Sequence, residues 1–271
     1  MPSIHPTALI DPGAEVARDV EVGAFAIVEA GVKIASGVRI EPHAQVLCGS
    51  DIGTGTVVGR GAIIGGLPQD LSFNPDTPSG VIIGEQNILR EHVTIHRASK
   101  AEAHTVVGSH NYLMVGAHLG HDVNMGDHNI LANAVLVAGH VKIGSHTVIG
   151  GGAVFHQFLR LGDYCMVQGN GSFSKDIPPF AMALRTNLLA GLNALGLRRA
   201  GFNPSDRAEL KQLFELLWRD GKNLTQAIAE AREKTWGAAG ESLLGFLAAP
   251  TKKGVCGMRN EGRASQGTAD F

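Results

Sequence analysis

Residues 111–158 read NYLMVGAHLGHDVNMGDHNILANAVLVAGHVKIGSHTVIGGGAVFHQF. An apolar residue falls at every sixth position: Leu113, Leu119, Met125, Leu131, Val137, Ile143, Ile149 and Phe155. The same grid extends back to Val107 and on to Leu161 and Val167, eleven positions in all. A second run of eleven starts at Ile4 and steps through Ile10, Val16, Val22, Val28, Ile34, Ile40, Val46, Ile52 and Val58 to Ile64. The period lapses over 66–80, resumes at Ile83, Leu89 and Ile95, and lapses again over 97–104. A fixed short repeat sustained this long is the mark of a solenoid. Each hexapeptide supplies a short flat strand and a turn, and three make one triangular coil of eighteen residues. The periodic residue points into the prism, and stacked coils pair their backbone groups at about 4.8 Å. The expected fold is mainly β, a hexapeptide-repeat parallel β-helix over 1–184 with loops at 66–80 and 97–104.

Composition agrees. Of 271 residues, 36 are glycine, 44% are hydrophobic, 18% charged and 5% aromatic. That mixture suits many tight turns around an aliphatic core. The formal net charge of −2 argues against a nucleic-acid binder, which needs concentrated positive charge. Cys48, Cys165 and Cys256 are odd in number and far apart, which reads as free thiols in a reducing compartment. The start MPSIHPTALIDPG lacks a basic stretch followed by an apolar run, so no signal peptide is read. No segment approaches the roughly 18 apolar residues of a membrane helix.

At Asp176-Ile-Pro-Pro179 the repeat ends, since proline cannot donate to a ladder. Helical patterns follow: Leu188 to Ala200, Ser205 to about Arg219 with Leu210, Leu213, Leu216 and Leu217 on one face, about Thr225 to Lys234, and about Glu241 to Ala248. This α-helical cap over 185–250 is expected to close the open end of the solenoid. The polar, glycine-containing tail 251–271 is expected to be disordered.

Positions eighteen apart stack, which places His121, Gly139 and Gln157 above one another. His118 sits beside this column, His140 one residue along above Asp122, and His156 beside Gln157. Counting back through Leu119 to position 101 and Ile83 sets both loops on the same side. A single histidine on such a wall is usually a surface residue; four beside two loops point to a site. His92, His110, His128 and His146 are also eighteen apart on another side and read as structural. No two histidines have a His-x4-His spacing, and His118-Leu-Gly-His121 is not a helical zinc motif, so no metal site is expected. Gly59-Arg-Gly61 lacks the third glycine and following helix of a dinucleotide loop and reads as a repeat turn.

Several short motifs together resemble one family. They are Gln69-Asp70-Leu71, Val93-Thr-Ile-His-Arg97, Ala117-His118-Leu-Gly-His121-Asp122, Ile130-Leu-Ala-Asn133, Ala138-Gly-His-Val141, His156-Gln-Phe158, Asp176-Ile-Pro-Pro179 and Gly196-Leu-Arg-Arg199. They look like the UDP-N-acetylglucosamine O-acyltransferases of lipid A synthesis, over about residues 3–245. The resemblance implies a left-handed coil, a cytoplasmic homotrimer and active sites between subunits. It implies transfer of a 3-hydroxyacyl chain from acyl carrier protein to the sugar 3-hydroxyl, with no cofactor beyond the donor thioester. By the same resemblance His121 is the general base and Asp122 orients it. That pairing needs a turn, because neighbouring strand residues point to opposite faces. Gly139, with no side chain over its N–H, suits an oxyanion donor. His118, His140, His156 and Gln157 would contact sugar, phosphates or acyl chain, and Asp70 the sugar. Asn193 and Arg199 would contact the nucleotide and its phosphates, although basic residues at a helix end also complement its dipole. Gly169 would gauge chain length, its small size admitting a longer chain.

Three positions depart from the family pattern. Ser72 stands where lysine is usual, Leu195 where glutamate is common, and Ala200 replaces a second arginine. An acceptor with an altered sugar, such as a 3-amino sugar, therefore stays open, as does a noncatalytic trimer.

Overall fold

A computed structural model describes residues 3–258. The chain winds as a three-faced prism. The first face gathers twelve strands beginning at Ser3–Ile4, the second nine beginning at Leu9–Ile10, and the third eight beginning at Glu15–Val16. Most strands are two residues long, one side chain in and one out, and pairing along the prism is parallel. The periodic aliphatics fill the interior: Ile40, Ile52, Ile64, Ile83, Leu89, Ile95, Leu113, Leu119, Leu131 and Ile149 are all fully buried. Burying each such side chain is worth roughly 1.5–3 kcal/mol, so the period itself is the main source of stability.

Corners turn through residues with positive φ. Some are glycine, such as Gly31, Gly116 and Gly152, but Asp122 (60°), His140 (61°), Phe158 (68°), His110 (59°), His128 (56°) and His146 (58°) adopt it too. That conformation costs a non-glycine residue roughly 1–2 kcal/mol. It recurs here because each corner residue stacks on the one below and donates its N–H to the previous coil, as His140 N does to His121 O at 2.9 Å.

The two excursions change the register. Uninterrupted coils pair eighteen residues apart, as Tyr112 with Ile130. Across the excursions Ile63 pairs with Thr94, and Thr94 with His118. Ile83 therefore stacks under Val107 on the third face, not in the column of Leu119, which rests on Ile95. The expectation of an undisturbed eighteen-residue count fails because the loops add thirteen and then six residues to their coils. His92 leaves the His110 ladder for the same reason. It sits over Gly61 at the corner between the first and second faces. Both excursions nevertheless leave the second face and rejoin at the third, so they share one corner with Asp122 and His140.

Beyond Pro179 the expected helix at Leu188–Ala200 is a hairpin followed by a short helix. Ala181–Leu184 pairs antiparallel with Leu188–Leu192 through a turn in which Arg185 and Asn187 have positive φ. A short apolar run such as Leu-Leu-Ala-Gly-Leu suits either structure, and the open edge of Ala181–Leu184, itself paired on Met166–Val167, recruits it as strand. The helices are α1 (Ala194–Arg199), α2 (Pro204–Trp218), α3 (Leu224–Ala231) and α4 (Ala238–Ala248). Asn193, Asn203 and Asn223 cap the first three through their side-chain oxygens. The tail expectation fails over 251–258. Val255 bridges to Asp176, Cys256 is fully buried, and Gly257–Met258 pairs with Leu188–Leu192. The rest of that tail, 259–271, lies outside the described residues. None of the described helices is long and apolar enough to cross a membrane.

Candidate active site

The corner between the second and third faces carries the chemistry. His121 opens the turn after strand His118–Leu119, and Asp122 takes the left-handed position next to it. The reversal at Asp122 brings two neighbouring side chains together: His121 Nδ1 lies 2.7 Å from Asp122 Oδ2. Ser99 N donates to both Asp122 oxygens at 3.2 and 3.3 Å, and Thr105 Oγ1 accepts from Asp122 N at 2.8 Å. The second excursion thus anchors the carboxylate. Burial alone would raise the Asp122 pKa, but the bonds from Ser99 and His121 outweigh it and hold it below the usual range. Asp122 stays ionised and selects the His121 tautomer with hydrogen on Nδ1, leaving Nε2 as acceptor.

Above His121 sits Gly139. A Cβ there would lie 2.6 Å from His121 Cε1 and Nε2, so glycine is required for the ring to occupy this place. Among the described residues the Gly139 N–H has no hydrogen-bond acceptor. An acceptor nitrogen and a free N–H therefore lie side by side, as general-base acyl transfer requires.

A cleft of about 250 Å³ opens on them, lined by Gln69, His96, His118, His121, Gly139 and Gln157 among others. Its floor is the second face. His118 Nδ1 bonds Thr94 Oγ1 at 2.7 Å, and burial lowers the His118 pKa. His140 stacks on Phe158 at 4.6 Å and 6°, with its Nε2 3.6 Å from Asp122 Oδ2. Burial lowers its pKa, and Asp122 partly offsets that. Asp70, on the first excursion, accepts from Ser72 N and Oγ at 2.9 and 2.7 Å, which lowers its pKa. The serine at position 72 thus positions Asp70 and leaves no cation there. His156 and Gln157 are exposed beside the cleft, Gln157 lining it.

Other predicted residues lie elsewhere. Gly169 is at the corner between the first and second faces, the opposite edge of the cleft floor, packed against Gly151. Asn193 is occupied within its own chain, capping Gly196 N and donating to Tyr164 O at 2.9 Å. Asn193 thus stands by Tyr164, at the corner between the third and first faces and not at that of His121, and Arg199 ends the helix it caps. His96 belongs to the site although no role was assigned to it from the sequence. It meets His118 edge-on at 4.9 Å and 88°, its Nδ1 is buried without a partner, and burial pushes its pKa down to about 4. It lies beneath Gly120, a relation visible once twenty-four residues are counted across the second excursion. His121, Asp122 and His140 offer three donor atoms within 4.8 Å of one another, a set that could close on a metal ion, though His121 Nδ1 is already bonded to Asp122.

The comparisons with known proteins agree. A family model described as "Udp N-acetylglucosamine O-acyltransferase; Domain 2" matches residues 176–256. The chain is 52% identical over 257 residues to an acyl-[acyl-carrier-protein]–UDP-N-acetylglucosamine O-acyltransferase of a Sulfurihydrogenibium species, covering 94% of each chain. It is 38% identical over 255 residues to the protein of that name from Syntrophobacter fumaroxidans, covering 93% of this chain and 98% of that one. The solved UDP-N-acetylglucosamine acyltransferase of Campylobacter jejuni superposes with a TM-score of 0.88 at 34% identity, covering 94% of this chain and all of the other. Handedness, repeat and cap follow that left-handed β-helix. On fold, length and sequence together, the chain belongs to the UDP-N-acetylglucosamine O-acyltransferase family.

Proposed function

We propose that the protein moves a 3-hydroxyacyl group from the thioester of acyl carrier protein to the 3-hydroxyl of UDP-N-acetylglucosamine, the first step of lipid A biosynthesis. The observation that carries this reading is the 2.7 Å His121–Asp122 bond beneath the free Gly139 N–H. His121 Nε2 takes the hydroxyl proton as the sugar oxygen attacks the thioester carbon. The carbonyl oxygen gains charge against the Gly139 N–H. Collapse breaks the carbon–sulfur bond, and the departing thiolate takes the proton from His121. The thioester supplies the activation, so the chemistry calls on no cofactor. His118, His140, His156 and Gln157 position the substrates, Asp70 the sugar, and Gly169 leaves room for a longer chain.

The reading includes a homotrimer in the cytoplasm, where the carrier-bound donor would be used. The prism favours self-association through two of its faces. Toward the later coils the first and second faces expose apolar residues: Ile88 is 44% exposed, Leu136 46%, Ile130 and Val148 36% each. The third face shows mainly polar and charged residues, Lys33, Asp51, Asn124, Lys142 and Arg160, with Ile82 among them. Packing copies by the two apolar faces buries what a monomer would leave wet. It also lets Asn193 and Arg199 of one copy approach the cleft of another.

The test is acyl transfer by purified protein with a ladder of 3-hydroxyacyl carrier proteins and two acceptors, UDP-N-acetylglucosamine and its 3-amino analogue. Wild type should acylate the first acceptor, and His121→Ala should lose about 10³-fold in kcat. Transfer to the amino sugar alone would move the acceptor, and an unimpaired His121→Ala would remove the base.

A further inference from the structure

The segment after α4 returns across the top coil and delivers a cation to the active-site corner. The return is pinned by buried groups. Asp176 N donates to Gly254 O and Cys256 N to Asp176 O, each at 2.8 Å. Asp176 is 1% exposed and holds Arg160 through Nε at 2.8 Å, while the Arg160 guanidinium lies 4.4 Å over the Phe246 ring. Gly254, at φ +72°, turns the strand, and Lys253 N bonds back to Thr251 Oγ1 at 3.2 Å. This turn holds out Lys252, whose Nζ stands 4.4 Å over the ring of Phe158. Phe158 is the ring stacked on His140, and His140 is 3.6 Å from Asp122. A second cation, Lys100, follows Ser99, the residue bonded to Asp122. Both ammonium groups add to the burial that lowers the His140 pKa, so both lie within electrostatic reach of that ring. The first excursion, 67–79, carries no lysine or arginine. The cations on this corner thus come from the second excursion and the C-terminal strap.

We propose that Lys252, presented by the strap 251–258 on the Phe158–His140 stack and seconded by Lys100, is a specificity residue that binds a phosphate group of a substrate at this corner. The proposal rests on the acyl-transfer reading. In that reaction each substrate brings a phosphate: the phosphodiester of the carrier's pantetheine arm and the pyrophosphate of the sugar nucleotide. An exposed lysine held over an aromatic ring, beside imidazoles kept neutral by burial, gives an oxyanion a charged donor without charging the base.

The experiment compares wild type, Lys252→Gln and Lys252→Arg. Steady-state kinetics give KM for UDP-N-acetylglucosamine, acyl-phosphopantetheine and acyl-pantetheine. Calorimetry gives Kd for UDP and 4′-phosphopantetheine, independent of turnover. Lys252→Gln should raise KM and Kd about tenfold for one phosphate-bearing partner, with kcat within about threefold, and Lys252→Arg should restore most of it. An effect on acyl-phosphopantetheine but not acyl-pantetheine assigns the pantetheine phosphate; an effect on UDP assigns the pyrophosphate. Unchanged Kd for both probes overturns the proposal, even if wild type transfers nothing and the acyl-transfer reading falls separately. A fall in kcat with KM and Kd unmoved also overturns it. Lys252 is exposed, so matching melting temperatures will show that the variants fold.

Discussion

At the corner after the third face, His110, His128, His146 and Tyr164 stack nearly parallel at 4.8, 4.8 and 4.7 Å. At the corner after the second face, Asp122, His140 and Phe158 occupy the same left-handed turn position, and His140 and Phe158 stack in the same way. Backbone and period are shared, but the carboxylates are used differently. In the first ladder Asp127 and Asp163 each spend Oδ1 on a backbone N–H, of Ser109 at 2.6 Å and Ser145 at 2.7 Å. Beneath that ladder the side-chain oxygens of Asn87, Asn111 and Asn129 accept from the next coil's N–H, so its polar groups serve the coil. In the second corner the carboxylate itself takes the turn position. Its side chain swings back onto the preceding imidazole, and the excursion below supplies Ser99 to hold it. A solenoid turns a structural histidine stack into a proton-handling site by exchanging one stacked ring for an acid.

The sharpest way to break that contrast is to remove the acid while keeping its shape. Asp122→Asn tolerates the left-handed backbone but cannot fix the His121 tautomer. Its kcat should fall by roughly 10²–10⁴, approaching His121→Ala, with little change in KM. A loss under tenfold would mean that Asp122 is only a turn residue. A smaller effect is expected from Gly139→Ala. The added methyl would sit 2.6 Å from the His121 ring, which must leave its bond to Asp122. Displacement of that order costs about 10² in rate. Because the clash is with a side chain, the melting temperature should move far less than the activity. Equal damage to both would point to a folding defect.

The fold was legible because the hexapeptide period is a packing rule: the inward position admits only apolar side chains, and the sequence shows this at every sixth residue. The stack of His121, Gly139 and Gln157 could be read because no excursion intervenes. What lay hidden follows from the two loops. Their lengths are not multiples of eighteen, so a count by eighteens does not reach His96 and puts His92 in the wrong column. The strand Leu188–Leu192 escaped because its apolar run is short and its partner edge exists only once the prism has formed. The strap escaped because its polar composition conceals Cys256, buried against Asp176 O.

His96 tests whether the active-site corner also costs stability, as the structural ladder should not. Its folded pKa is about 4, below the unfolded value of 6.5. A depressed histidine contributes fully above its unfolded pKa, and that contribution is lost as pH falls from about 6.5 toward 4. His118 is shifted in the same direction. Melting temperature measured across this window should decline with acid, and His96→Gln should flatten the decline. An identical slope in wild type and variant would place the titration elsewhere.

The smallest effect belongs to the ladder. His128 lies between His110 and His146, touching both rings, so His128→Ala removes two stacked pairs at once. Each such pair is worth about 0.5–1.5 kcal/mol beyond its buried area. The loss is partly offset because the ring is exposed and the turn keeps its left-handed shape in alanine, as Ala134 does at φ 57°. Chemical denaturation should show a loss near 1–2 kcal/mol, while kcat and both KM values stay at wild-type levels. A drop in kcat with normal stability would give the ladder a part in catalysis and remove the distinction between the two corners. A drop in stability alone would tie the difference to the one position where a carboxylate replaces a ring.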